Sequence, residues 1–374
     1  MYDQQQVFSD SLYVMVYGGS MVFALIACIY LLFRRSNAIA PEVTPPLRLR
    51  RRVAAFFAIM VISHLWWYVL VKYNFFGDLL SIIVAAGLDC VVLIPFIMGM
   101  LLAMLQDRRR PLWPFVFASL PVAALFAVIA YRHDLVLVSW VQGYFMLITI
   151  VIFIYMAYAV RQYSLWLRHN YADLEHKEVW QSFVVLAIIM LVFVIYASAS
   201  EGVIYQYAMQ VIIIVLICYL LWRVETLSDL SISQQQSQMV EEPATTEPED
   251  VGNYELPQTI HDKIGALLQQ HCIDTQLYLQ HDLTIIQLSK AIGTNRFYLS
   301  QYFSSQGLTY NAYINNLRIN HFIGLYHKAV ATQHNFTAKQ LAFDSGYRNY
   351  QTFSLVFKQL KGQTVTAWMR DTAK

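Results

Sequence analysis

Two ionisable side chains, His64 and Asp89, lie inside long apolar stretches of the chain. A titratable group at membrane depth is costly and usually faces the interior of a helix bundle or a water-filled path. At 1.5 Å of helix rise per residue, both lie roughly 13–15 Å from the outer ends of their stretches, so we expect them to touch. Such a pair could take up a proton or a polar ligand, or it could only fix how two helices pack. The sequence leaves both interpretations open.

A second set of polar side chains, Glu201, Gln206 and Gln210, lies toward the ends of two further apolar stretches. Because Glu201 could instead be a solvated residue of a tight turn, this set is the weaker candidate for a sensing site. The candidate residues for sensing inside the membrane are His64, Asp89, Glu201, Gln206 and Gln210.

The sequence offers little for catalysis or metal binding. The four cysteines stand singly, without metal-ligand spacing or a disulfide pattern. There is no P-loop, kinase motif or phosphorylation cassette, and His64 with Asp89 is too small a set of converging acid and base groups for an enzyme. We therefore expect no enzymatic activity, no catalytic residue, no metal and no cofactor.

The composition is that of a membrane protein over most of the chain. Hydrophobic residues make up 57% and charged residues 13%, whereas about 25% of a typical soluble chain is charged. A hydrocarbon core about 30 Å thick needs about 20 apolar residues of helix. Seven runs meet this need: 12–33, 53–72, 79–105, 112–131, 135–160, 180–200 and 203–222. The first run is too long for a signal peptide and has no basic residue before it, so we expect a seven-helix transmembrane bundle over residues 1–223.

The basic residues between these runs predict the orientation. Thirteen of them fall on one side of the membrane, and only Lys72 and Arg132 fall on the other. By the positive-inside rule the N-terminus is outside and the C-terminus is cytoplasmic, which indicates a multi-pass protein of the bacterial inner (cytoplasmic) membrane. Because the outer loops are short, an unknown small molecule or membrane property has to be read in the bundle or at its outer rim.

Residues 224–257 form an acidic linker. They include eight Asp or Glu residues and no Lys or Arg, and the Pro-rich stretch 241–250 is predicted to be disordered. The linker is either a plain flexible tether, or its first part extends the last membrane helix and pairs with a second copy through Val224, Leu227, Leu230 and Met239.

After the linker, two similar segments follow one another, 283–303 and 336–357. Each has a Thr N-cap candidate, a short helix, a Gly for a tight turn, an Asn that caps a second helix, and an i, i+4 apolar pair in that helix. This pattern predicts two helix-turn-helix units, in which one helix braces a second that enters a major groove. The residues concerned are Thr284, Gly293, Asn295, Leu299 and Phe303 in the first unit, and Thr337, Gly346, Asn349, Phe353 and Phe357 in the second.

The motifs of this segment resemble those of the AraC/XylS family of transcription regulators. The stretch from Gly307 to Arg318 matches the entry into that family's linker helix, and a second motif follows further along. Val365 departs from the family, which usually has Pro there, and Phe322 stands where a small residue is common. The second motif comprises Gly346, Tyr347, Phe353, Phe357, Lys358, Gly362 and Arg370.

The resemblance covers residues 259–374 and implies an AraC-type DNA-binding domain over 258–374. Its two recognition helices would enter successive major grooves of promoter DNA, and RNA polymerase would be a further partner. Arg296 could read guanine, and Gln301 and Gln351 could read adenine. The candidate DNA-binding residues are Arg296, Phe297, Ser300, Gln301, Ser304, Arg348, Asn349, Tyr350, Gln351, Ser354, Leu355, Lys358 and Lys361.

The sequence thus predicts an all-α, membrane-bound one-component transcription regulator. The seven-helix half would lie in the lipid bilayer and sense a signal there. It resembles the sensor modules of some bacterial signalling proteins, but only in architecture. The signal would pass by conformation or by the geometry of a homodimer. Two alternatives stay open: a latent factor released by proteolysis of the linker, and a transporter-like or enzymatic membrane module fused to a DNA-binding regulator.

Overall fold

The structure is a computed structural model in which every regular element is helical. It describes residues 8, 10–34, 37–39, 41, 43–73, 78–132, 136–199, 203–230, 257–333 and 335–372. These residues form fourteen α-helices and no strand, so the predicted all-α class is confirmed.

The chain divides into two compact units. The first comprises Met1–Tyr163 and Val179–Gln234, and the second comprises Ser164–Glu178 and Gln235–Lys374. The second unit therefore takes in a short segment that the sequence assigns to a loop between two membrane helices.

The first unit holds seven apolar helices, which coincide with the seven apolar runs. Five of them are long and apolar enough to cross a membrane, and the other two contain shorter apolar stretches, Trp113–Ile129 and Trp180–Ile189. The helices are α1 (Ser11–Phe33), α2 (Leu47–Tyr73), α3 (Asp78–Met104), α4 (Trp113–Arg132), α5 (Val136–Asn170), α6 (Trp180–Ala199) and α7 (Val203–Thr226).

Neighbouring helices in the sequence pack against one another in this unit. Helix α2 packs on α1 and α3, α3 packs on α4, and α7 contacts α1, α2 and α6. At the α3–α4 contact, a Cβ added to Gly87 would come within 2.7 Å of the Phe126 ring, so glycine is what allows this close approach. The outward side chains remain apolar and unburied: Met15, Val136 and Trp140 are at least 70% exposed.

Helix α7 ends at Thr226, and the chain after it is fixed within the same unit. Val224, Leu227 and Leu230 are buried there. The Gln106 side chain donates to the Ser228 carbonyl oxygen at 2.8 Å and accepts from the Leu230 amide at 2.9 Å. These three apolar residues are therefore buried within their own unit, whereas Met239 lies outside the described residues. Most of the acidic linker, residues 231–256, lies outside the described residues.

The second unit is built from short capped helices. Its core is formed in two halves that a long central helix joins. The helices are α8 (Gln258–Leu268), α9 (Ile285–Ala291), α10 (Arg296–Ser305), α11 (Tyr310–Ala331), α12 (Ala338–Asp344), α13 (Tyr350–Lys361) and α14 (Val365–Thr372).

Helix α11 contributes to both cores. Tyr310 and Ile314 pack with α8, α9 and α10, whereas Phe322 and Tyr326 pack with α12, α13 and α14. Phe322, one of the two departures from the AraC/XylS pattern, is fully buried, and its ring centroid lies 4.6 Å from that of Phe353. The large side chain thus fills the second core without reaching the outer faces of α10 and α13.

Candidate DNA-binding surface

The first helix-turn-helix unit consists of α9, a turn and α10. Thr284 caps α9 through a capping box with Gln287, in which side chain and backbone satisfy each other's donors. Gly293 takes a φ of +69° in the turn, and Asn295 caps α10 by accepting from the Phe297 amide at 2.9 Å. Thr284 and Asn295 are thus helix caps and Gly293 forms the turn, as the sequence predicts.

The second unit consists of α12, a turn and α13. Thr337 accepts from the Gln340 amide, and Asn349 accepts from the Gln351 amide at 2.7 Å. Gly346 has a φ of +87°, and a Cβ at this position would lie 2.8 Å from the Leu279 carbonyl oxygen. Gly346 is therefore required for two reasons: the tight turn that the sequence predicts, and the close approach of the Leu279 backbone.

The predicted apolar pairs hold both second helices against the core. Their four side chains, Leu299, Phe303, Phe353 and Phe357, are at most 1% exposed. Because an i, i+4 pair defines one face of a helix, the opposite faces of α10 and α13 are the ones left for a ligand.

The outward face of α13 carries the more accessible of the candidate side chains. Gln351, Leu355 and Lys358 are exposed, and Leu355 at 72% is among the most exposed leucines of the second unit. A leucine so far from any core contact is suited to an apolar contact such as a thymine methyl. Ser354 is half-buried, and the Tyr350 ring packs partly on Phe353.

The outward face of α10 is less open. Ser304 is exposed, but Arg296, Phe297, Ser300 and Gln301 are half-buried. The Arg296 guanidinium donates to Oδ1 of Asn170 at 2.7 Å. The residue predicted to read guanine thus already has a protein partner.

The turn before α13 is engaged in a similar way. Asn349 donates through Nδ2 to a carboxylate oxygen of Glu175 at 3.0 Å. Arg348 makes an ion pair of 2.6 Å with Asp282, although 62% of its side chain is exposed. Lys358 and Lys361 are exposed at the end of α13, where they suit phosphate contacts.

In the first unit, Asp89 does not pair with His64 as expected. Its carboxylate accepts hydrogen bonds from Ser63 at 2.6 Å, from Nε1 of Trp66 at 3.1 Å and from Nε1 of Trp67 at 2.6 Å. The position of a residue along a helix does not tell around which side of the helix its side chain projects. Ser63 and the two tryptophans project toward Asp89.

His64 belongs to a different polar network. Its Nε2 lies 3.3 Å from the Ser20 hydroxyl, which donates to Oε1 of Gln210 at 2.5 Å. The side chain of Gln206 accepts from the Tyr13 hydroxyl at 3.2 Å. The structure thus joins His64 to Gln210, which the sequence placed in a separate cluster, while Glu201 lies outside the described residues.

The first unit also contains an apolar cavity that the sequence did not indicate. It has a volume of about 220 Å³ and is lined by side chains of α2, α3, α5, α6 and α7, among them Phe56, Met98, Met156 and Ala187. None of the candidate sensing residues lines it. Its lining looks in sequence like ordinary lipid-facing or core residues, so no pattern could have revealed it.

Among the residues that the structure describes, no group of three or more His, Cys, Asp or Glu side chains could hold a metal ion. The four cysteines are free thiols. Burial raises the pKa of the Cys272 thiol to about 11, so this cysteine stays protonated inside the first core of the second unit.

Comparison with known proteins supports the geometry of the second unit. No curated protein and no solved structure shows a significant match to this chain. A family model described as a helix-turn-helix domain matches residues 288–371, which include α10, α11, α12, α13 and nearly all of α14. The match supports an AraC-type helix-turn-helix segment at residues 288–371, and with it a role in DNA binding.

Proposed function

We propose that the chain is a membrane-bound one-component transcription regulator, in which a seven-helix bundle senses a signal and the second unit binds promoter DNA. The single observation that carries the proposal is the presence, on one polypeptide, of an AraC-type helix-turn-helix segment and an apolar helical unit. A signal could then pass from the apolar helices to the DNA-binding unit within one chain, without a separate kinase or receiver protein.

The surface of the first unit supports its location in a lipid bilayer. Its helices direct large apolar side chains outward, as Met15, Val136 and Trp140 do, whereas a soluble monomer rarely exposes contiguous apolar patches of more than a few hundred Å². The polar side chains of Ser20, His64 and Gln210 are turned toward one another. This inside-out distribution is what a membrane interior favours.

The distribution of basic residues supports a cytoplasmic second unit. Arginines cluster just after α1, in the first turns of α2 and between α3 and α4, and few basic residues stand in the opposite loops. Since positively charged loops remain in the cytoplasm, the C-terminal segment is on the side of the chromosome.

A genome-wide footprint of the full-length protein in cells tests the proposal. We expect discrete protected sites at promoters, because two recognition helices read base edges and do not merely neutralise phosphates. The double variant Gln351→Ala, Lys358→Ala, which keeps the buried pair Phe353 and Phe357, is the matched control and should lose those sites. Wild-type protein without site-specific protection would overturn the proposal.

Sensing is assigned to the polar side chains of the first unit. Asp89 accepts three hydrogen bonds in an otherwise apolar unit, so Asp89→Asn removes a charge while leaving the shape almost unchanged. We expect this variant to alter the output of a promoter reporter and its footprints. An unchanged output at equal protein abundance would make Asp89 a packing residue only.

Release by proteolysis of the linker is less well supported. The second unit includes Ser164–Glu178, a segment joined at both ends to α5 and α6. A cut within 231–256 would leave the contacts of that segment with the second unit in place. Cell fractionation and blotting with an antibody against the C-terminus separate the two mechanisms, because release predicts a soluble C-terminal fragment during activation.

A further inference from the structure

A loop between two apolar helices is folded into the DNA-binding unit. We call residues 170–178, between the end of α5 and the start of α6, the docking loop. Its backbone pairs with the chain that leads into α9: the Ala172 amide donates to the Leu283 carbonyl oxygen at 3.0 Å, and Tyr171 forms an antiparallel bridge with Thr284. Ala172 itself is 2% exposed and belongs to the first core of this unit.

A buried ion pair adds to these backbone contacts of the docking loop. Arg318, on α11, is fully buried, and its guanidinium lies 2.6 Å from the Asp173 carboxylate. Its remaining donors reach the carbonyl oxygens of Tyr278 and Gln280, both at 2.8 Å. Within these contacts, Asp173 supplies the counter-charge that a buried guanidinium requires.

A second ion pair lies at the edge of the same contact. Lys177 and Asp282 are 2.8 Å apart, and the Asp282 amide donates to Asp173 at 2.7 Å. Burial alone would raise the pKa of the Asp282 carboxyl, but the charges of Lys177 and Arg348 and the hydrogen bond from Lys177 hold this pKa below its usual range. Asp282 is therefore ionised at cytoplasmic pH, and the loop is held by charge as well as by its backbone.

The docking loop also reaches two of the candidate DNA-binding side chains. Asn170 accepts from Arg296 on α10, and Glu175 accepts from Asn349 at the start of α13. The bond to Asn170 occupies one of the five guanidinium donors of Arg296 and holds the side chain in place, so a bidentate contact with guanine competes with this position of the side chain. The Glu175 carboxylate, beside the N-terminus of α13, also repels an approaching phosphate.

We propose that the docking loop is an intramolecular partner of the DNA-binding surface, that its Asn170 and Glu175 compete with DNA for Arg296 and Asn349, and that separation of these side chains activates DNA binding. The proposal rests on the function proposed above and names the step that regulates it. Only residues 171–179 separate α5 from α6, and nine residues span at most about 30 Å. A displacement of either helix end is therefore passed directly to the loop.

DNA binding by the full-length protein in nanodiscs tests the competition. The double variant Asn170→Ala, Glu175→Ala frees Arg296 and Asn349 but keeps the Asp173–Arg318 pair, so the unit stays folded. With one net hydrogen bond lost at each position, we expect about five- to tenfold tighter binding to a site found by footprinting. The control is Asp262→Ala, which removes an exposed carboxylate that accepts a hydrogen bond from Gln258 and lies beside His261.

The controls separate the possible failures. If wild-type protein binds the site and the double variant binds it equally or more weakly, the docking loop does not compete with DNA. The proposed function is unaffected by that result. Absence of specific binding by every variant would overturn both.

Hydrogen exchange supplies an independent readout of the same protein. If DNA draws Arg296 and Asn349 away from Asn170 and Glu175, the docking loop loses two of its contacts. The Ala172 amide, which donates to the Leu283 carbonyl oxygen, should then exchange at least several-fold faster when DNA is bound. Unchanged or slower exchange in the peptide that contains Ala172 would show that loop and DNA are bound together, which contradicts the proposal.

Discussion

Gln351 and Lys358 lie on the same outward face of α13 but differ in what they can recognise. The Gln351 amide can make a bidentate contact with adenine, whereas the Lys358 ammonium neutralises a phosphate. We expect Gln351→Ala to cost about 1–3 kcal/mol at the preferred site and to relax the preference for one base. Lys358→Ala should weaken binding to all DNA sequences alike and lower the slope of log affinity against log salt concentration by about one. Binding titrations at several salt concentrations check both, and a uniform loss in Gln351→Ala would contradict its reading role.

Gly346 is the residue at which a small change should do most harm to the second helix-turn-helix unit. Its φ is +87°, and a Cβ would lie 2.8 Å from the Leu279 carbonyl oxygen. Gly346→Ala should therefore destabilise the unit by about 1–2 kcal/mol from the left-handed conformation alone, with more from the clash.

Gly324 provides the matched control for that substitution. It lies within α11 with no atom within 4 Å of an added Cβ, so Gly324→Ala should stabilise the helix by roughly 0.5–1 kcal/mol. Hydrogen exchange of α11 and α13 in the full-length protein measures both. Similar effects of the two substitutions would show that the close contact at Gly346 does not limit stability.

Which residues could be predicted depends on how local their roles are. Thr284, Asn295 and Thr337 were predicted as caps because capping involves residues two or three positions away. The partner of Arg318 was not, since Asp173 lies 145 positions away in a segment of ordinary polar composition. Asp89 and His64 are the intermediate case: their positions along their helices follow from the sequence, but their partners depend on the direction in which each side chain projects.

At the scale of elements, the docking loop is an integral part of the DNA-binding unit. Asp173→Ala would leave the guanidinium of Arg318 buried without its counter-charge, and loss of one partner of a buried pair costs about 3 kcal/mol or more. We expect faster hydrogen exchange throughout α11 of the full-length variant, with little change in α2. Asp262→Ala is again the control of equal charge, and α11 exchange equal to wild type would refute the role assigned to Asp173.

The elements themselves were largely predictable. Seven apolar runs became seven helices, and the two capped repeats became α9 to α10 and α12 to α13. Helix ends were harder: α5 continues to Asn170, ten residues beyond its apolar run, because polar residues such as Arg161 and Arg168 are compatible with a helix outside the apolar region. Hydropathy marks where a helix is apolar, not where it stops.

For the whole molecule, the docking loop predicts how the protein responds to a cut in its linker. With a site for a specific protease inserted between residues 241 and 250, the cleaved C-terminal part should stay with the membrane fraction, because Asp173 and Lys177 still hold it. The same part of the triple variant Asn170→Ala, Asp173→Ala, Lys177→Ala should become soluble. Release of the wild-type fragment at physiological salt would show that the loop contacts are too weak to regulate the unit.

The most direct measurement of the central claim, that an inner-membrane bundle presents a DNA-binding unit to the cytoplasm, uses sealed membrane vesicles of both orientations. Labelled promoter DNA from a footprinted site is added to inside-out and to right-side-out vesicles that contain equal amounts of full-length protein. We expect specific binding to inside-out vesicles only, with right-side-out vesicles binding after permeabilisation. Specific binding to intact right-side-out vesicles, or recovery of all binding activity in the soluble fraction, would contradict it.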